Sequence, residues 1–244
     1  MKKTRHYREY EDYLNHQKTK TLDPVRRKKW LNEEWELKIK GFGRLFDRHG
    51  TVVQPEIKVL CIGARTGQEV VALKNRNIDA IGIDIVPHPP HVIHGDMHNL
   101  DFPDDSFDFV FSNVFDHALY PDKKISEIER VLKTDGHALL QFQIDIHPDQ
   151  YTEVIVNRIE HDILPLFKES FCIVNNKIPR NFAGMNYEIL MKKDSKAVSL
   201  HEKVGDVTDL SVPDEYQKIW NDINLPIQTN KGRTHNIQGK ELDV

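Results

Sequence analysis

The chain has 244 residues, with 34 Lys and Arg, 38 Asp and Glu, and a formal net charge of -4. Its apolar share with glycine included is about 44%, near the globular norm of roughly 45–50%, which excludes a wholly disordered chain. Cys61 and Cys172 allow at most one bridge, which excludes a disulfide scaffold. Because no run approaches the roughly 18 apolar residues of a spanning helix, and no apolar segment follows the basic start, we expect a soluble, cytoplasmic protein.

Charge divides the chain unevenly. Residues 1–30 contain ten Lys or Arg and four acidic residues, so that segment carries +6 and the rest of the chain −10. A basic segment of this kind is typical either of a solvated arm or of an arm that docks a phosphorylated or nucleic-acid partner. The acidic remainder provides no basic surface, so extended nucleic-acid binding is disfavoured.

Three segments follow one another along the chain. Residues 1–50 are predicted to be a basic, partly helical N-terminal extension, and residues 194–244 a polar C-terminal extension. In each, apolar residues three or four apart predict one helix. These residues are Leu31, Trp35, Ile39, Phe42 and Phe46 in the first extension, and Tyr216, Ile219, Trp220 and Ile223, after Pro213, in the second. The middle segment, 51–193, has a different pattern.

The middle segment alternates short apolar runs with amphipathic stretches. Strands are predicted at 57–62, 80–85, 92–94, 107–114, 138–144, 171–177 and 187–191. Helices are predicted at 69–75, at 122–133 with Gly136 as the left-handed residue past its end, and over a face formed by Tyr151, Val154, Ile155, Ile159 and Ile163. The alternation predicts an α/β fold, a Rossmann-like, seven-stranded, mostly parallel sheet with helices on both faces. Only about nine residues join the last two strands, so they should form a final antiparallel hairpin.

The ends of the first four predicted strands carry glycine and polar residues. Ligands of open α/β sheets bind outside the carboxyl ends of the strands, so these are the residues that should meet a ligand. Gly63 and Gly67 allow a tight turn and close approach of the backbone. Asp84 could accept both hydroxyl hydrogens of a ribose. The sequences Gly95-Asp96-Met97 and Asn113-Val114-Phe115-Asp116-His117 follow the third and fourth strands.

Residues 56–193 resemble class I S-adenosylmethionine-dependent methyltransferases, of the type 11 group that includes the ubiquinone-biosynthesis C-methyltransferases. Four segments carry the resemblance, VLCIGARTGQEV, AIGIDIV, GDMHNLDFPDDSFDFVFSNVFDH and EIERVLKTDGHALLQF, of which the last two are the most specific. The resemblance covers a little over half the chain and neither extension. It implies S-adenosyl-L-methionine as cofactor and S-adenosyl-L-homocysteine as product.

The resemblance also implies the residues that hold the cofactor. The glycine turn would wrap its methionine moiety, the second strand would hold its ribose and adenine, the third would accept from the adenine amino group, and the fourth would lie near the sulfonium. In chain order these residues are Gly63, Ala64, Arg65, Thr66, Gly67, Asp84, Ile85, Asp96, Met97, Asn113 and Val114.

Two positions depart from the family pattern. Cys61 stands where the family usually has an acidic residue that anchors the cofactor's amino group, and Arg65 stands where it usually has glycine. Glu69, two residues past Gly67, could substitute for the missing acid. Arg65 could instead pair with the cofactor's carboxylate.

Methyl transfer needs in-line positioning and removal of the acceptor's proton, because the sulfonium is already activated. His117, with Asp116 beside it, is the candidate base and favours O-methylation of a sugar, a glycan or another small hydroxylated acceptor. The alternative is a histidine that caps the loop before Pro121. No metal site is expected, since His88, His91, His94 and His98 crowd eleven residues but should point in different directions.

The N-terminal extension could fold over the cofactor and bind the acceptor, including one that bears phosphate, through His16, Lys18 and Lys20. An exposed arm is the alternative. Methylation of RNA or protein docked on this arm remains open, as do a homo-oligomer and a catalytically silent scaffold, which only the departures at Cys61 and Arg65 support. A nicotinamide-dependent oxidoreductase is disfavoured because the glycines do not have the GxGxxG spacing.

Overall fold

A seven-stranded sheet forms the centre of the computed structural model, which describes residues 1–144, 147–167, 171–177, 185–194, 227–228 and 234–235. Its strands are β2 (Lys58–Ile62), β3 (Asp79–Asp84), β4 (Val92–His94), β5 (Phe107–Ser112), β6 (Leu132–Phe142), β8 (Phe171–Lys177) and β9 (Tyr187–Lys193). They lie in the order β4-β3-β2-β5-β6-β9-β8. The first five are parallel, whereas β9 is antiparallel to both β6 and β8. The predicted fold class, with its final hairpin, is confirmed.

Helices cover both faces of this sheet because its strands are apolar on both sides. In β2, Leu60 and Ile62 join one core cluster, and Val59 and Cys61 join the other, as the two-residue period of a strand requires. Helices α3 (Trp35–Arg48) and α4 (Gln68–Lys74) pack on the Val59 side. Helices α5 (Pro121–Val131) and α6 (Ile159–Asp162) pack on the other.

The N-terminal extension packs along the sheet domain. Strand β1 (Lys2–Lys3) pairs antiparallel with β7 (Val154–Ile155), and helices α1 (Tyr10–Leu22) and α2 (Pro24–Lys28) follow it. A π-helical turn over Lys29–Glu33 connects α2 to α3. The expected apolar face lies in α3, where Phe46 is fully buried with its ring centroid 5.4 Å from that of Phe111 in β5. Leu31 belongs to the π-helical turn instead.

A buried ion cluster also fastens α3 to the sheet. Glu188 on β9 is fully buried and accepts from Arg48 Nη2 at 3.1 Å, from His49 Nε2 at 3.1 Å and from Gln141 Nε2 at 3.0 Å. Burial raises the pKa of the Glu188 carboxyl, but these donors and charges outweigh it and leave the pKa below its ordinary value. The C-terminal end of α3 is thereby held against β6 and β9.

Two predictions about local structure are wrong. The helix expected over Tyr151–Ile163 is replaced by β7 and the single turn α6, because Val154 and Ile155 pair with β1 instead of continuing a helix. The left-handed residue after α5 is Asp135 (φ 66), not Gly136. Gly136 is a close-approach position, since a Cβ there would lie 3.0 Å from the Asp108 carbonyl oxygen.

The helix predicted after Pro213 lies outside the described residues. In the C-terminal extension, β10 (Ile227–Gln228) pairs antiparallel with β11 (Thr234–His235). Among the helices that the structure describes, none is both long enough and apolar enough to cross a lipid bilayer.

Candidate functional site

A pocket lies at the carboxyl ends of β2, β3, β4 and β5 beneath α1, and its empty space is about 540 Å³ with the open solvent at its mouth included. Nine residues singled out from the sequence line it. They are Lys20, Gly63, Arg65, Asp84, Ile85, Asp96, Met97, Val114 and His117. The strand-end motifs therefore meet in one place, as the parallel sheet predicts.

The glycine turn after β2 brings the backbone to the pocket. Gly63 (φ 77) and Gly67 (φ 88) are left-handed, and the Gly63 and Ala64 N–H groups both donate to the Ile83 carbonyl oxygen at 2.9 Å. A Cβ at Gly63 would lie 2.2 Å from Cγ2 of Val114, so only glycine fits there. Ala64, Gly67 and Thr66 are buried behind this wall, and the Thr66 hydroxyl donates to Gln68.

Asp84 ends β3 with both carboxylate oxygens engaged by backbone. Oδ2 accepts from the Arg65 N–H at 3.0 Å and Oδ1 from the Val86 N–H at 2.9 Å. Burial raises the pKa of this carboxyl above its ordinary value. These bonds fix its orientation at the pocket wall and leave lone pairs for a further donor, because an ionised carboxylate has about four acceptor sites.

Arg65 adopts a left-handed conformation (φ 50), and its guanidinium carbon lies 4.2 Å from the centroid of the Trp30 ring. It therefore stands at the pocket wall with a cation–π contact behind it. Glu69 is buried in the first turn of α4 and does not line the pocket, and its burial raises its pKa to about 7. Cys61 is fully buried in the core beneath α3 and α4.

Asp96 receives donors from two sides. Its Oδ2 accepts from the Tyr10 hydroxyl at 2.6 Å, and its Oδ1 accepts from the His98 N–H at 2.9 Å. Burial raises the pKa of the carboxyl, but the hydrogen bonds from His98 and Tyr10 outweigh it and leave the pKa below its ordinary value. The start of α1 thus reaches the end of the pocket at which Asp96 and Met97 stand.

His117 lies in a short 3₁₀ turn (Phe115–His117) after β5. Its Nδ1 is 2.8 Å from the Tyr151 carbonyl oxygen, which can only accept, so the neutral ring carries its proton on Nδ1. Its Nε2 is 2.9 Å from Lys20 Nζ and 3.9 Å from Asp116 Oδ2. Burial lowers the pKa of His117 to about 4, which leaves a neutral imidazole with its Nε2 lone pair turned toward Lys20.

Lys20 reaches His117 from α1. Burial, and after it the charge of Arg65, lower the pKa of its ammonium to about 8 against the opposing effect of Asp149, 3.6 Å away. Nζ also lies 5.2 Å from the centroid of the Tyr151 ring. A lysine with this pKa can gain or lose a proton near neutral pH, unlike an exposed lysine.

The structure keeps several predicted residues away from the pocket. His16 lies in a cluster of Tyr7, Tyr151 and Glu153, with its Nδ1 2.6 Å from the Tyr7 hydroxyl. Lys18 is partly exposed and its Nζ is 3.4 Å from Glu11. Six further predicted residues lie behind or beside the pocket wall without lining it: Ala64, Thr66, Gly67, Glu69, Asn113 and Asp116.

The sequence patterns missed the inner face of α1. Tyr10 contacts Asp96, the Tyr13 hydroxyl donates to the His117 carbonyl oxygen at 2.9 Å, and Tyr13, Gln17 and Thr21 line the pocket. Positions 10, 13, 17 and 21 are spaced three or four apart, so they share one face of a helix. That spacing was the available signal, but a search for apolar periodicity overlooks a face made of polar residues.

The crowded histidines have separate neighbours. His88 Nδ1 lies 3.3 Å from Arg27, and His98 belongs to the Asp96 cluster. Within the described part of the chain, no three His, Cys, Asp or Glu residues are placed to hold a metal ion.

Comparison with known proteins adds to this geometry. Residues 60–140 match the family model described as a methyltransferase domain. No curated protein matches the sequence. A 1,6-didemethyltoxoflavin-N1-methyltransferase from Burkholderia thailandensis, solved with 1,6-didemethyltoxoflavin and S-adenosylhomocysteine, is 15% identical with a TM-score of 0.60, over 80% of this chain and 93% of that one.

Two further solved structures have the same fold. A SAM-dependent methyltransferase from Aquifex aeolicus is 15% identical with a TM-score of 0.54, over 70% of this chain and 99% of that one. The [4+2]-cyclase SpnF is also 15% identical, with a TM-score of 0.50, over 62% of this chain and 80% of that one. Similarity at this level shows the fold alone, so the family match carries the identification. Residues 60–140 match a methyltransferase domain, and together with the fold this match supports a class I methyltransferase with S-adenosylmethionine as its cofactor.

Proposed function

We propose that the protein methylates a hydroxyl group of a small acceptor, such as a sugar, a glycan fragment or another hydroxylated molecule, bound under α1 beside His117. The observation that carries this proposal is one shared pocket, lined both by residues of the cofactor motifs and by the Lys20–His117 pair. The acidic charge of the chain beyond residue 30 further favours a small acceptor over extended nucleic acid.

The residues present fit the cofactor. Gly63 brings bare backbone to the pocket wall at a place where a Cβ would collide with Val114, and the carboxylates of Asp84 and Asp96 are held at the ends of adjacent strands to accept from hydroxyl and amino groups. We assign the cofactor's carboxylate to Arg65, and we keep Glu69 as the candidate anchor of its amino group. When bound, the cofactor supplies a methyl group on a positively charged sulfur.

We assign the acceptor's proton to the Lys20–His117 pair. His117 Nε2 carries the ring's lone pair, and Lys20 Nζ, 2.9 Å away, can exchange a proton near neutral pH. Asp116, 3.9 Å from Nε2, would stabilise an imidazolium if the ring took the proton. Of the two lysines proposed to bind the acceptor, Lys18 lies away from the pocket and Lys20 lines it. Lys20 is also the partner of His117, the candidate base.

The Burkholderia neighbour supports a small acceptor, because it was solved with 1,6-didemethyltoxoflavin. Its name describes methylation of a ring nitrogen, so a nitrogen heterocycle is the second candidate acceptor class. The same base would serve either acceptor, since both lose a proton on methylation.

Calorimetry with S-adenosylhomocysteine tests the cofactor assignment. Asp84→Asn should weaken binding about tenfold through loss of charged hydrogen bonds, whereas Asp101→Asn, at an exposed carboxylate, should not change it. Unchanged affinity in Glu69→Gln would remove Glu69 as the anchor. Acceptors are then screened with monosaccharides, phenols and nitrogen heterocycles by released S-adenosylhomocysteine. Near-wild-type turnover by His117→Ala, with cofactor binding retained, would exclude His117 as the base.

The basic arm provides a second test. If RNA or protein were the acceptor, binding of that acceptor would weaken steeply with added salt. Turnover of a neutral small acceptor should instead depend little on salt.

A further inference from the structure

The cofactor pocket has a wall that lies outside the matched family residues. Helix α1 supplies it through Tyr13, Gln17, Lys20 and Thr21, although the family match begins only at residue 60. At the start of this helix, Tyr10 reaches Asp96, 86 positions along the chain. Any role of this contact in ligand binding rests on the proposed cofactor pocket.

A directed series of hydrogen bonds ends on Asp96. The Tyr120 N–H donates to His98 Nε2 at 3.2 Å, so Nε2 bears a lone pair and the neutral ring's proton lies on Nδ1. Nδ1 is 2.6 Å from the Tyr10 oxygen and 3.1 Å from Asp96 Oδ1. The Tyr10 hydroxyl then donates to Asp96 Oδ2 at 2.6 Å. Both carboxylate oxygens therefore receive a donor, one of them from the extension.

This arrangement fixes the chemical character of Asp96. Its environment is partly buried and would favour a neutral carboxyl, but the donors from His98 and Tyr10 favour the ionised form. An ionised carboxylate only accepts hydrogen bonds, and it has sites left for another donor. It accepts from an amino group and repels a carbonyl oxygen. A protonated carboxyl could instead donate to that carbonyl.

The ring of Tyr10 is held as firmly as its hydroxyl. It stacks on Tyr120, with ring centroids 5.9 Å apart and an interplanar angle of 18°, and it meets His98 edge-on at 5.8 Å. A Tyr10→Phe chain would keep these ring contacts and lose only the donor. The effect of the hydroxyl can therefore be separated from the packing of α1.

We propose that Tyr10 is a specificity-determining positioning residue, whose hydroxyl, together with His98, holds Asp96 as an ionised acceptor and so makes the pocket select a 6-aminopurine over a 6-oxopurine. The N-terminal extension is then part of the cofactor site and not only its cover. Removing the hydroxyl leaves Oδ2 of Asp96 without its donor, so the carboxylate is held less firmly in this orientation, which weakens binding of the amino compound and reduces the repulsion of the oxo compound.

Calorimetry with two probes tests this inference, S-adenosyl-L-homocysteine and its deaminated analogue S-inosyl-L-homocysteine. The wild-type chain should bind the amino probe at least about tenfold more tightly than the oxo probe, because only the amino probe can donate a hydrogen bond to the ionised Asp96. Tyr10→Phe should weaken binding of the amino probe by about tenfold and bring the two affinities closer together.

Tyr7→Phe is the matched control. The Tyr7 hydroxyl also donates to a buried carboxylate, Glu153 at 2.6 Å, but neither residue lines the pocket. The ratio of the affinities for the amino and oxo probes should be the same in Tyr7→Phe as in the wild type. An Asp96→Asn background provides the second control: if Tyr10 acts through Asp96, adding Tyr10→Phe there should leave the ratio unchanged.

Each outcome decides the question. An unchanged ratio in Tyr10→Phe overturns the inference, and so does equal weakening of both probes, which would show a purely structural role. A wild-type chain that binds neither probe overturns the proposed cofactor site itself. A wild-type chain that binds the amino probe while Tyr10→Phe keeps full selectivity leaves the proposed function standing without the role of Tyr10.

Discussion

Replacing Gly63 with alanine tests the turn that opens the pocket. Gly63 has a φ of 77, a conformation that raises the free energy of a side-chain-bearing residue by about 1–2 kcal/mol. Its new Cβ would also lie 2.2 Å from Val114 Cγ2, far inside the optimal separation of about 3.5–4.0 Å between carbon atoms. Overpacking of this kind costs about 1–3 kcal/mol. Gly63→Ala should therefore lower the free energy of unfolding by about 2–5 kcal/mol.

A second substitution separates the two causes. Val114→Ala alone should destabilise by about 1.5 kcal/mol, from two buried methyl groups at about 0.8 kcal/mol each. In the double variant the 2.2 Å contact is gone and the nearest remaining contact is the Cβ of residue 114 at 3.2 Å, so the backbone strain is the main cost that remains. The free energy of unfolding of the double variant should therefore be about 1–3 kcal/mol higher than the sum of the two single losses predicts.

Urea unfolding followed by far-UV circular dichroism measures these free energies. Gly50→Ala is the control, because Gly50 lacks a left-handed φ and its Cβ would meet only the Asp47 carbonyl oxygen, at 3.1 Å. We expect the control to lose less than about 1 kcal/mol. A Gly63→Ala chain within about 0.5 kcal/mol of the wild type would refute the reasoning, and additive single effects would refute the clash.

Three more predictions concern buried groups. Phe46→Ala should lower the free energy of unfolding in urea by about 3–5 kcal/mol, whereas Val25→Ala, at a side chain 76% exposed, should change it little; equal effects would contradict the docking of α3. Lys124 is fully buried without a hydrogen-bond partner among the described residues, and burial lowers its pKa from 10.5 to about 7. Because the unfolded chain binds more protons than the folded chain between pH 7 and pH 10.5, the free energy of unfolding should rise with pH in that range. Lys124→Met should raise the free energy of unfolding by roughly 2 kcal/mol at pH 6 and by less at pH 10. The same effect at both pH values would contradict this. His117, whose pKa burial lowers to about 4, should destabilise the fold as pH falls from 6.5 toward 4; an NMR titration of its ring that gave a pKa near 6.5 would contradict the burial.

Local patterns were sufficient for the sheet and its ligand-binding edge. Each strand is a short apolar run, and residues such as Asp84 and Asp96 follow directly in sequence, so their neighbourhood in space follows from the parallel order of the strands. The same reasoning was insufficient between Tyr151 and Ile163. There the apolar spacing fits a helix, but Val154 and Ile155 form ladder hydrogen bonds with Lys2 and Lys3, a pairing across about 150 positions that no local window contains.

The residues at the strand ends could be predicted from the sequence, whereas the contacts that α1 makes with them could not. The sequence by itself determined the α/β sheet, the glycine turn and the carboxylates, because strand period and turn chemistry are local properties of the sequence. Only the tertiary structure placed Lys20 against His117 and Tyr10 against Asp96, contacts that span 97 and 86 positions. The side chains involved are polar, so no hydrophobic period marks the face of α1 that closes the pocket; their spacing shows that they share a helix face, but only the tertiary structure shows what that face contacts.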